Sequence, residues 1–184
     1  GCGIVYSKLD YATFNTWANY LSDNGYHCNT VFDEWTTAWD AVLRICGEFR
    51  GMITPIGTRY YALVDKPETP AQLFSMGNIL EGSFVQTWPN RNSRAGSLEI
   101  TYWDKDRGYE AVSFLIRGTK WEELDPTRIT LYGTTDFEQA LVIGSYFMNC
   151  NDLLMSTVEL EVGVSELQAG VGDVVWVQHD VPEW

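Results

Sequence analysis

Asp65-Lys66-Pro67-Glu68-Thr69-Pro70 is the stretch on which the reading of this sequence turns. Each proline locks φ and removes a backbone donor, and the residue before it is pushed out of helical geometry. Two prolines within four residues stop regular structure of either kind. Before this stretch the apolar residues recur with helical spacing, and after it the sequence breaks into short strand-like runs between turns. The boundary therefore predicts an α/β part over residues 1–67 and a β-rich part over residues 68–184.

Working back from the prolines, Arg59 to Val64 and Met52 to Pro55 flank Ile56-Gly57-Thr58, a hairpin with a glycine-containing turn. Gly51 closes a helix whose apolar stripe is Trp35, Ala38, Trp39, Val42, Cys46 and Phe49, with Asp33 as its cap and Glu34 in the first turn. Aromatic residues at that spacing read as a core face rather than a ligand platform. Earlier still, Tyr11 to Asn24 carries Phe14, Trp17, Ala18 and Leu21 on one face, and Gly25 ends it. Tyr26 to Phe32 reads as a short strand.

Working forward, strands are expected at Ser83 to Trp88, Leu98 to Trp103, Tyr109 to Ile116, Arg128 to Tyr132, Thr157 to Val164 and Val174 to His179. Strands at this spacing suggest a sandwich or barrel. One helix, residues 135–152, interrupts them. Thr135 and Glu138 form a capping box, and Phe137, Ala140, Leu141, Gly144, Phe147 and Met148 make its apolar face. The expected fold is α+β: a helix-containing α/β subdomain, then a β-rich, barrel- or sandwich-like subdomain with one inserted helix.

The bulk properties narrow the function. With 184 residues the chain buries roughly 70% of its unfolded surface, so a core can form without metal or disulfide. Eight Trp and ten Tyr favour β-rich cores and aromatic-lined interfaces. The formal charge of −13, from 25 acidic and 12 basic residues, repels phosphate and argues against nucleic-acid or anionic-membrane binding. Such acidity suits a soluble subunit, or a wall past which DNA slides without sticking. Cys2, Cys28, Cys46 and Cys150 have neither zinc-site nor disulfide-scaffold spacing and read as reduced thiols. The sequence shows neither a signal peptide nor an apolar run of ~18 residues long enough for a membrane helix. It begins Gly-Cys-Gly without Met and stops at Pro182-Glu183-Trp184, so it is expected to be a segment of something longer.

Chemistry-bearing patterns are scarce. Asp104-Lys105-Asp106-Arg107-Gly108 resembles the start of a calcium loop, but its glycine falls at position 5 and its flanks are strands, so it reads as a turn. His27 beside Cys28 and His179 beside Asp180 are the histidine pairs a nucleophilic site could use, yet neighbours on a strand point to opposite faces. No nucleophile elbow, Walker A, dinucleotide or H-E-x-x-H pattern occurs. The expectation is a non-enzyme with no catalytic, cofactor or metal-binding residues and no cofactor. Trp88, Trp103 and Trp121 motivate one alternative, a carbohydrate-binding module; a cell-wall hydrolase is another.

Three separated segments carry a family resemblance. The first runs from Leu63-Val64-Asp65-Lys66-Pro67 through Gln72-Leu73-Phe74-Ser75-Met76-Gly77-Asn78-Ile79 to Glu81-Gly82-Ser83-Phe84. The second is Ile100 to Glu110, and the third is Val171 to Pro182. Together they resemble the central part of the tip attachment (host-specificity) proteins J of lambda-like phages. The resemblance implies a baseplate-hub region, similar to the hubs of contractile tails and secretion-system spikes. It implies three copies in a ring closing the tail tube, in contact with the tape measure and minor tail proteins, at the virion tail tip after assembly in the bacterial cytoplasm. It carries over no catalytic residues and places receptor recognition in more C-terminal parts.

Overall fold

Asp10 starts the first helix by accepting a hydrogen bond from the Thr13 amide at 3.2 Å. Helix α1 runs Tyr11–Asp23, and Gly25 turns the chain away with φ 70°. The computed structural model describes residues 5–121 and 124–180. In it α1 is followed by α2 (Ala38–Glu48), the hairpin strands β1 (Gly51–Ile56) and β2 (Arg59–Val64), then β3 (Gln72–Phe74) and β4 (Val85–Thr87). Next come β5 (Ser97–Asp104), β6 (Glu110–Arg117), β7 (Pro126–Thr130), α3 (Phe137–Leu153), β8 (Thr157–Glu159) and β9 (Val175–Val177). The fold is a mixed α+β one, and among the described residues its strands form open sheets of two or three strands.

The chain divides into two units, and the division differs from the sequential one expected. One unit takes the chain up to Asp65 together with Arg94–Leu154; the other takes Lys66–Ser93 and the chain from Met155 onward. The proline-rich boundary thus falls at the first crossing, but the chain returns. The reason is the core of the larger unit, where Phe49 packs with Leu98, Ile100, Tyr102, Ile143 and Met148. An apolar face on β5 and α3 that matches Phe49 keeps residues 94–154 with the first part.

In that larger unit, β5 is central, antiparallel to β6 and parallel to β7. Its alternate residues Leu98, Ile100 and Tyr102 are buried, the period-2 pattern of a strand with one face inward. Helix α3 lies against β5 and β6. Gly144 lets it approach, since a Cβ there would come within 2.6 Å of Ile116 and 2.9 Å of Ile100. The β1–β2 hairpin packs against α2 through β1 and against α1 through β2, and the Trp17 indole donates to Phe49 O at 2.9 Å. At the C-terminal end of α3 the Arg94 guanidinium donates to Asn151 O and Leu154 O, capping orphan carbonyls.

Two helix starts differ from expectation. Helix α2 is capped by Thr37, whose hydroxyl accepts from the Asp40 amide at 3.1 Å, so Asp33, Glu34 and Trp35 lie outside the helix. Helix α3 is capped by Asp136, which accepts from the Glu138 and Gln139 amides, while the Thr135 hydroxyl accepts from the Asn29 carboxamide. Tyr26 to Phe32 is not a strand. Its backbone bonds instead to the Gln139 carboxamide, which accepts from His27 N and donates to His27 O, both at 2.9 Å.

The smaller unit is built from short pairs. Strands β3 and β9 run parallel, β4 and β8 antiparallel, and a bridge joins Ile79 to Val162. The strands expected at 83–88, 157–164 and 174–179 are present in shortened form as β4, β8 and β9.

Candidate functional site

A cleft of about 760 Å³ opens on the larger unit between the 29–36 loop, α2, β5 and the turn before α3. The loop is fixed from below by Asn29, whose amide donates to Gly133 O at 2.8 Å. Gly133 is in turn held by Glu48: the buried carboxylate accepts from the Tyr132 and Gly133 amides and from the Thr134 hydroxyl. Burial pushes the Glu48 carboxyl above its ordinary range, and those donors oppose the push. A Cβ at Gly133 would come within 2.9 Å of the Cys28 sulfur and 3.2 Å of the Phe49 ring, so glycine is the residue that fits.

The walls of the cleft are aromatic. The Trp103 ring lies 5.8 Å from Tyr132 between centroids, and the Arg44 guanidinium stands 5.0 Å over the same Tyr132 ring. On the loop side Val31 and Phe32 line the cleft and are exposed. The lining also carries the Asp33 and Glu34 carboxylates and the Arg44 guanidinium beside its aromatic rings. Sequence spacing does not reveal the cleft, because Arg44, Trp103 and Tyr132 come from separate parts of the chain.

The chemistry-bearing residues singled out from sequence do not converge. His27 is exposed with its backbone pinned by Gln139, and the neighbouring Cys28 thiol is pushed up by burial and by the Glu48 carboxylate, the opposite of an activated nucleophile. Cys46 is buried and pushed up to about 11 by burial, and Cys28, Cys46 and Cys150 are free thiols; Cys2 lies outside the described residues. His179 belongs to the smaller unit, where its ring stacks on Phe84 at 4.0 Å. Among the described residues no group of three His, Cys, Asp or Glu side chains could hold a metal ion.

The 104–108 segment is a turn. Asp104 accepts from the Asp106 amide at 2.9 Å and from the Tyr102 hydroxyl at 3.2 Å, and Gly108 takes φ 66°. Of the three tryptophans considered as a sugar platform, Trp88 is exposed on the smaller unit, whereas Trp103 and Trp121 are half-buried in the larger one. No helix is long and apolar enough to cross a membrane among the described residues.

The smaller unit buries few of its apolar side chains. Among its described residues the buried apolar side chains are Phe74 and Ile79, while Leu73, Trp88, Val164, Leu167, Val171 and Trp176 are exposed.

Known proteins with this sequence pattern are tail proteins. Residues 37–184 match the model of the family described as "Putative phage tail protein". The chain belongs to this family. A curated relative, "Tip attachment protein J" of Escherichia phage SECphi27, is 27% identical over 153 residues, which is 82% of this chain and 13% of that protein. The tail protein chain therefore spans about an eighth of that relative. Solved structures share its fold: a tail protein from Neisseria meningitidis MC58 (TM-score 0.62, 11% identity, covering 84% of this chain and 48% of that one); a chain of the native gene transfer agent virion (TM-score 0.64, 12% identity, 88% and 40%); and the 43 kDa tail protein of prophage MuSo2 from Shewanella oneidensis (TM-score 0.57, 13% identity, 83% and 48%). As a member of this family the chain is a component of a phage tail.

Proposed function

We propose that this tail protein forms part of the central hub at the tail tip, where it closes the tail tube and helps organise host attachment. In this reading three copies of the full-length protein form the ring, the tape measure and minor tail proteins pack against it, and assembly takes place in the bacterial cytoplasm. The likeness to a tip attachment protein over 82% of the chain supports the position at the tip. The observation that carries the assembly role is the smaller unit, with Phe74 and Ile79 buried and Trp88, Leu167 and Trp176 exposed. Small units bury too little apolar surface to be well stabilised alone, and interfaces of permanent assemblies are more apolar than ordinary surface.

The role is one of shape rather than catalysis. Buried acids, the groups an enzyme would perturb for acid–base work, are here engaged with the chain itself. Glu48 holds the 132–134 turn, and Asp152 accepts from the Thr119 amide and hydroxyl at 2.9 and 3.1 Å. An epitope on the full-length protein, labelled with gold on purified tails, tests the proposal. Label is expected at the end of the tail away from the head, and tails bearing it are expected to leave the turbidity of a peptidoglycan suspension unchanged. Label spread along the tube contradicts the hub assignment, and clearing of the suspension by the purified protein contradicts the non-enzymatic one.

A further inference from the structure

Strands β3 and β9 form a parallel pair of three residues each, with Leu73 opposite Trp176. Successive side chains on a strand point to opposite faces, so these two share a face, while Phe74, Val175 and Val177 turn to the other. That second face is covered: Phe74 is buried and the two valines are half-buried. Leu73 and Trp176 are 46% and 63% exposed. Parallel sheets are found almost entirely with both faces covered, and a two-stranded sheet is marginal without a packed face. The pair is nevertheless braced. The Gln72 carboxamide donates to Glu166 O at 2.6 Å and accepts from the Gln168 and Ala169 amides at 2.9 Å, and Gln178 N donates to Phe74 O at 2.8 Å. Leu73 and Trp176 are therefore presented on a fixed platform, as anchor residues at the centre of an interface are.

The net charge of the smaller unit selects the occupant. The smaller unit has two cations, Lys66 and Arg91, against eight carboxylates (Glu68, Glu81, Glu159, Glu161, Glu166, Asp173, Asp180 and Glu183), a formal charge of −6. A second copy brings the same acidic unit, so two units of like charge would meet there. We infer that the Leu73–Trp176 face docks a different tail protein, one presenting an apolar centre rimmed by lysine and arginine. This rests on the assembly reading above and specifies the surface and the partner chemistry that it leaves open.

The test uses assembled tails carrying the full-length protein, with Trp176 replaced by the photo-crosslinker p-benzoyl-phenylalanine. Irradiation followed by peptide mapping is expected to join position 176 to a peptide of another tail protein, with lysine or arginine close to the joined residue. The pair Leu73→Ser with Trp176→Ser, both at exposed positions, is expected to lower recovery of that protein in tails at least tenfold while the melting temperature of the chain is kept. A crosslink within the same polypeptide or to another copy of it overturns the inference, as does a partner peptide with an acidic rim. So does the absence of any crosslink in tails shown by immunoblot to contain the chain. Tails that lack the chain altogether overturn the assembly reading itself, which keeps the two failures apart.

Discussion

Glu48 shows how a single residue ties two parts of the chain that sequence spacing does not connect. It ends α2, yet its carboxylate organises the turn 132–134, more than eighty positions later. Glu48→Gln replaces an acceptor oxygen by a donor facing backbone N–H groups and should cost about 1–3 kcal/mol. The pH dependence has a definite sign. Burial raises the folded-state affinity of Glu48 for a proton above that of the unfolded chain, so its contribution to stability is greatest below the ordinary carboxylate range and falls as pH rises through it. Denaturation of wild type and Glu48→Gln across pH 4 to 7 should show the stability gap narrowing as pH rises. A widening gap contradicts the buried-carboxylate account. Nothing in the sequence distinguishes Glu48 from Glu34 or Glu138, because what singles it out is burial against a distant turn.

At the scale of elements, the periodic segments were legible and their ends less so. The stripe Phe14, Trp17 and Leu21 did predict α1, with Trp17 and Leu21 packed against the core, and the strand expected at Leu98 to Trp103 is β5. The hairpin turn at Gly57 followed from its glycine, which takes φ 62°. Helix α2 starts later than the aromatic spacing suggested. Trp35 continues the stripe on paper, but Thr37 pairs with Asp40, its hydroxyl donating to the Asp40 carboxylate at 2.6 Å, and local capping chemistry outweighs an aromatic residue that has no core to enter. Thermal unfolding separates the two readings. Thr37→Ala should cost about 1 kcal/mol, whereas Asp33→Ala should stay within about 0.5 kcal/mol. Equal losses at both positions contradict the Thr37 cap. The segment at 26–32 has strand-like composition, yet it is held by a side chain, Gln139, which mimics a strand partner and leaves no trace in hydrophobic pattern.

For the whole molecule, the proline-rich stretch located the first crossing between units but could not reveal the return. The later crossings, at 93–94 and 154–155, lack paired prolines, and the reason residues 94–154 rejoin the first part is a shared core. Core membership is a matter of packing between distant apolar faces, which periodicity does not report. The candidate surfaces were less legible still, since exposure of Leu73, Trp88 and Trp176 contradicts the usual fate of large apolar side chains and has meaning only once the fold is known. In the assembly proposed above, neighbouring chains would supply the missing cover. Cryo-electron microscopy of intact tails carrying the full-length protein tests this most directly. The account predicts three copies in a ring at the tip end of the tube, with Leu73 and Trp176 buried against another protein. A tip in which the chain is absent from that ring, or in which these side chains face solvent, contradicts it.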